Sequence, residues 1–180
     1  MNDQQIVLPK NYTAIKEESE KINFTMPSDL QTGSLLRTLV ASKPNGNFLE
    51  LGTGTGLSLA WIIETMDENS KVISIDTSEA YQTIAKKYFD KDHRVTIICE
   101  DANLWIKSNQ HEKFDLIFAG PPYALATIDE LPKKIFEKGL LKPGGWFVLE
   151  HTPRNDYKKF PQYKTERNYG TTIFSIFVNK

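Results

Sequence analysis

Residues 48–58 run FLELGTGTGLS, an acidic residue followed by glycines at the alternate positions Gly52, Gly54 and Gly56. Phe48, Leu49 and Leu51 suit a buried strand. The glycines permit backbone angles and close approaches that a Cβ would forbid. Leu57 to Met66 then reads as a helix, with Thr55 and Ser58 able to serve near its N-terminus. A strand, a glycine turn and a helix start in succession form a ready site for a nucleoside-type ligand. The spacing separates this turn from the dinucleotide fingerprint G-x-G-x-x-G, which opens on a pyrophosphate. Glu50 would repel a pyrophosphate. It favours a ligand carrying positive charge, such as an amino group or a sulfonium.

The pattern around this unit alternates. Strands are expected at 47–51, 72–76, 94–99, 114–119 and 146–150. Helices are expected at about 56–66, 78–89, 102–108 and 126–138. Strands alternating with helices imply right-handed crossovers and a parallel sheet covered on both faces. Pro143-Gly144-Gly145 marks the turn into the fifth strand. Beyond it, Tyr163 to Asn168 and Thr171 to Val178 are extended runs joined at Tyr169-Gly170, so they pair antiparallel. Upstream, 28–41 reads as a helix that Ser28 can cap, with Leu30, Leu35, Leu36, Leu39 and Val40 as its apolar stripe. Residues 1–27 read as a loosely attached arm with a short helix near Tyr12 to Lys21; residues 28–180 read as one domain.

The chain has 180 residues, 39% of them hydrophobic and 25% charged, enough for one domain with a sizeable core. No apolar run approaches the ~20 residues that span a bilayer, and the N-terminus lacks a signal pattern. A single cysteine excludes an internal disulfide and suits a cytoplasmic setting. Cys99 ends the run VTIIC and is expected to be buried. The net charge of −1 argues against an unaided nucleic-acid binder. From Glu130 to Lys180, however, ten Lys/Arg face five Asp/Glu, an excess of +5 that reads as a basic face for RNA or as solvated charge.

Carboxylates fall where strands end. Asp76 closes the second strand, where a carboxylate can accept both ribose hydroxyls, with Thr77 beside it; a turn or cap role is the alternative. Asp101, followed by Ala102, closes the third strand and can also cap a helix. His93, His111 and His151 lack paired-ligand spacing, so no metal is expected. His151, at the end of the fifth strand, is the one histidine placed as a cleft residue or base.

The run E-x-G-x-G-x-G resembles the first motif of the class I S-adenosylmethionine (SAM) methyltransferases. That resemblance implies a three-layer Rossmann-like α/β fold, with five parallel strands plus a C-terminal antiparallel hairpin. It implies SAM as cofactor, held by Glu50, Gly52, Thr53, Gly54, Asp76, Thr77, Asp101 and Ala102. Asp101 would accept the adenine amine, and the Ala102 N–H would serve the ring. Residues 24–105 resemble bacterial O-methyltransferase-like proteins, in which Gln31, Thr32 and Gly33 would lie near the methionine end. Residues 114–180 resemble bacterial guanine-N2 methyltransferases of small-subunit ribosomal RNA.

The segment FAGPPYA resembles the (D/N)-P-P-(Y/F) motif of amine methyltransferases. This puts Gly120, Pro121, Pro122 and Tyr123 at the reaction centre, with Gly120 where that motif has Asp or Asn. The acceptor is then an RNA amine or a small molecule. A SAM-binding protein that has lost catalysis is the third reading. A homodimer is compatible with the sequence; a membrane partner is not expected.

Overall fold

A computed structural model of the chain describes residues 6–109, 111–122 and 125–180. Tyr123 therefore lies outside the described residues. Among the described residues, seven strands form one sheet: β1 (Asn47–Leu51), β2 (Lys71–Asp76), β3 (Val95–Cys99), β4 (Phe114–Ala119), β5 (Leu141–His151), β6 (Tyr163–Tyr169) and β7 (Thr172–Val178). Their order is β3-β2-β1-β4-β5-β7-β6. The first five are parallel, and β7 pairs antiparallel with both β5 and β6. The expected sheet with its hairpin finish is present. The order reverses between β1 and β4, so their carboxyl ends open a crevice where ligands bind in such sheets.

Among the described residues, six α-helices accompany the sheet: α1 (Tyr12–Lys21), α2 (Leu30–Ala41), α3 (Leu57–Thr65), α4 (Glu79–Phe89), α5 (Ala102–Ser108) and α6 (Leu131–Glu137). One face packs Leu36, Leu59, Trp61 and Ile84 from α2, α3 and α4 against Phe48, Phe118 and Val148 of the sheet. The other packs Trp105, Ile106 and Ile135 from α5 and α6 against Leu49, Ile117 and Phe147. Period-two alternation along each strand sends successive side chains to opposite layers.

Several local expectations change. Residues 12–21 are not a loose arm: Tyr12 and Ile15 are buried, and the Tyr12 ring meets Trp61 edge-on at 5.7 Å. Glu18 bonds Lys87 and Tyr88 of α4. Asp29, not Ser28, caps α2, its Oδ1 accepting from the Thr32 N–H at 2.7 Å. The expected helix at 126–138 splits into a 3-10 turn at Ile128–Glu130 and α6, because Pro132 lacks the N–H that a longer helix needs and fits only its first turn. Pro143-Gly144-Gly145 lies inside β5 as an irregularity against β4 rather than ahead of the strand. Cys99 is exposed, because β3 is an outer strand paired only with β2.

Candidate active site

The glycine turn is built by its two neighbouring strands. The Gly52 and Thr53 N–H groups both donate to the Ile75 carbonyl of β2, at 2.8 and 3.1 Å. The Gly120 N–H donates to the Leu51 carbonyl at 3.2 Å. Gly52 sits at φ +106°, and a Cβ there would lie 3.2 Å from the Gly120 carbonyl oxygen. Both facts call for glycine. The turn from β1 and the loop from β4 thus touch across the crevice.

Asp76 fixes the tip of the turn. Its Oδ2 accepts from the Gly54 N–H at 2.8 Å, and its Oδ1 accepts from the Ser78 N–H at 2.8 Å. Asp101 caps α5 through the Leu104 N–H at 3.0 Å. Both carboxylates also line a cavity of about 700 Å³, together with Gly52, Thr53, Gly54, Thr77, Ala102, Gly120, Pro121 and Pro122. The segment Phe24–Ser28 forms another part of the wall. Phe24 lies over Gly54 and meets Tyr81 edge-on at 4.8 Å. Sequence reasoning named none of 24–28 as site residues; the apolar Phe24, Met26 and Pro27 inside an otherwise polar stretch were their signal.

Four expected cofactor residues do not line the cavity. Glu50 is fully buried beneath the turn, because strand alternation points it at α3 rather than at the sheet edge. Its carboxylate accepts from the Ser58 and Ser74 hydroxyls. Thr53 Oγ1 lies 2.7 Å from Ser74 Oγ, and Gln82 Nε2 donates to Thr53 Oγ1 at 3.1 Å. With each hydroxyl donating once, the bonds run from Gln82 through Thr53 and Ser74 to Glu50. Glu50 therefore ties β1, β2, α3 and α4 together beneath the cradle. Gln31, Thr32 and Gly33 belong to α2. Thr32 and Gly33 are buried, and a Cβ on Gly33 would lie 2.2 Å from the Trp61 indole. Their position is explained by packing.

Burial pushes the Glu50 carboxyl up to about 7, against the two serine hydroxyls that hold it down; the charge of Asp76 adds to the rise. The folded chain keeps a proton that the unfolded chain releases near 4.5. The group's contribution to stability is complete below that value and is lost as pH rises toward 7. A loss on the order of 3 kcal/mol across this window is expected. Thermal melts of wild type and Glu50→Gln across pH 4–8 check it: the difference between them should track this window.

His151 does not enter the cavity. It follows Glu150, so it faces the opposite layer, where Nε2 lies 2.8 Å from Ser175 Oγ and Nδ1 lies 2.8 Å from the Thr152 carbonyl. Burial holds its pKa down. With Nδ1–H donating to the carbonyl, Nε2 accepts from the serine, so the ring is a structural group. Four of the basic residues in the tail are engaged: Lys133 with Glu137, Lys134 with Glu130, Lys142 with Asp115 and Lys158 with Glu166. Among the described residues, no three His, Cys, Asp or Glu side chains form a metal cluster. No described helix is long and apolar enough to cross a membrane.

The arrangement suits an adenosyl ligand. The cavity volume lies in the range of about 300–1,000 Å³ typical of small-molecule sites. A backbone turn without Cβ atoms, one carboxylate at the end of β2 and another after β3 offer acceptors for ribose hydroxyls and a base amine.

Comparisons with known proteins agree. The family model described as Conserved hypothetical protein 95 matches residues 28–178. The tRNA1(Val) (adenine(37)-N6)-methyltransferase of Bacteroides fragilis is 28% identical over 136 residues, covering 65% of this chain and 56% of that protein. The bifunctional methyltransferase of Rickettsia bellii is 37% identical over 119 residues, covering 63% of this chain and 20% of that one. The chain thus spans about half the length, or less, of these curated relatives. The O-methyltransferase from Bacillus cereus, solved in complex with SAH, shares the fold at a TM-score of 0.78 and 18% identity, over 98% of this chain and 94% of that one. With residues 28–178 matched by one family model, the chain belongs to the Conserved hypothetical protein 95 family and has the class I methyltransferase fold.

Proposed function

We propose that the cavity binds SAM and that the chain methylates an exocyclic amine of a base in RNA. The observation that carries this reading is the contact between the Gly52 turn and Gly120: cofactor turn and acceptor loop open on one cavity. The cofactor supplies an electrophilic methyl group on a sulfonium. Asp76 orients the ribose, and Asp101 with the Ala102 N–H receives the adenine. Gly120, Pro121 and Pro122 form the acceptor side, with Pro121 and Pro122 restricting the loop. Catalysis then rests on in-line placement and exclusion of water. The name of the tRNA-modifying relative supports an RNA acceptor.

A second reading, a small-molecule acceptor, is favoured by the Phe24–Ser28 wall, which narrows the mouth. Calorimetry with SAM and with S-adenosylhomocysteine tests the cofactor. Tritiated-methyl transfer to deproteinised bacterial ribosomal RNA, against transfer to a metabolite extract, tests the acceptor. The RNA reading expects label in RNA and RNA binding that weakens steeply with salt. Label only in the extract, insensitive to salt, would favour the second reading.

A further inference from the structure

A nitrogen or oxygen that gains a methyl group must shed a proton, and a nearby base speeds that loss. The described acceptor loop offers no such side chain, since Gly120, Pro121 and Pro122 carry none. Among the described carboxylates lining the cavity, Asp76 stands at the end of β2 and Asp101 after β3, across β1 from the acceptor loop that follows β4. Glu100 stands beside Asp101 at the far end of the sheet, after β3. Glu150 alone comes from the β4–β5 side.

Its position follows from register. Ala119 of β4 pairs with Leu149 of β5, so Gly120 and Glu150 are the next neighbours along the two strands. Both follow Phe118 and Val148 by two residues, so they share the layer of those side chains. A Cβ built on Gly120 would lie 3.3 Å from Glu150 Oε2. The absence of a side chain at 120 is what leaves room for the Glu150 carboxylate at the acceptor loop.

We propose that Glu150 is a catalytic residue, the carboxylate that hydrogen-bonds the acceptor N–H and takes its proton. This rests on the proposed function and completes its acceptor side. The nitrogen–carbon bond forms as the carbon–sulfur bond breaks. The bonding pair stays on sulfur, which becomes a neutral thioether, and the proton passes to Glu150 and then to water. The acceptor must therefore carry a hydrogen on the atom that is methylated, as a base amine does.

Calorimetry and methyl transfer on wild type, Glu150→Gln and Glu150→Ala/Gly120→Asp test the assignment. Glu150→Gln should bind S-adenosylhomocysteine within about twofold of wild type. Its preference for SAM over that neutral product should fall roughly fivefold, because a carboxylate close to the sulfonium favours the charged ligand. Methyl transfer to ribosomal RNA should fall roughly 100-fold. The double variant clears the Glu150 side chain, returns a carboxylate to the same space from β4 and should recover about a tenth of the wild-type rate or more. Glu150→Asp, which keeps the charge but withdraws it, should retain the SAM preference yet lose roughly tenfold in methyl transfer; if the glutamine variant is misfolded, an unchanged rate in Glu150→Asp overturns the assignment.

If wild type binds neither ligand, the cofactor reading fails and this inference falls with it. If wild type binds both and Glu150→Gln keeps the SAM preference and the rate, Glu150 alone is overturned. Loss of S-adenosylhomocysteine binding in a folded Glu150→Gln would also overturn it, by making Glu150 a cofactor anchor. Should wild type leave RNA unlabelled, the change in SAM preference still decides.

Discussion

Asp76→Ala is expected to weaken S-adenosylhomocysteine binding by roughly 100- to 1,000-fold while the protein stays folded. Asp76 does two things at once. It offers a carboxylate to the cavity, and it holds the Gly54 N–H of the glycine turn and the Ser78 N–H at the start of α4. Hydrogen bonds to charged groups contribute about 1.5–3 kcal/mol each, and about 1.4 kcal/mol is a factor of ten. Alanine removes the carboxylate that the proposed function assigns to the ribose, and it frees the tip of the turn. Asp76→Asn keeps one acceptor but sets an amide donor against one of the two N–H groups, so an intermediate loss of about tenfold is expected. Calorimetry on each variant, with circular dichroism as the folding control, checks this. Unchanged affinity in Asp76→Ala would remove the carboxylate from the site.

Gly33→Val is the largest stability effect expected. Gly33 lies inside α2 with Trp61 of α3 pressed on it, and both are buried. The indole cannot retreat easily: Tyr12 packs on its edge and the Arg37 guanidinium lies 4.5 Å from its ring centre. A Cβ 2.2 Å from the indole forces the two helices apart. Overpacking typically costs 1–3 kcal/mol, and a clash this close places the cost at about 3 kcal/mol or more. At roughly 2–4 °C per kcal/mol for a chain of this size, the melting temperature should fall by about 10 °C. The folded fraction should still bind S-adenosylhomocysteine within about threefold. Lost affinity with an unchanged melt would return Gly33 to the cofactor site.

These two residues show what the sequence carries and what it hides. Asp76, Gly52 and Gly54 were legible because a strand end, a carboxylate and alternate glycines encode a local shape that needs little beyond its neighbours. The sheet was legible for the same reason, since each strand and helix announces itself by period. Gly33 and Glu50 were not. A helical glycine looks the same whether it faces a ligand or an indole, and only the packing of α2 on α3 decides. Glu50 looks like a site carboxylate until the partners Ser58 and Ser74 arrive from α3 and β2. Glu150 was passed over in favour of His151, because a run of residues does not state which of two neighbours faces the crevice. The register between β4 and β5 states it.

The sheet order has a consequence for how the chain is made. β7 is apolar on both faces and sits inside the sheet, while β6, which precedes it, is the polar outer strand. Residues 163–169 thus leave the ribosome before the strand they must pair with exists. Until Thr172–Val178 emerge, the free edge of β5 stays open to other chains, a hazard for partly synthesised protein. Once β7 inserts, the charged and polar side chains of β6 seal that flank against sticking to copies of itself.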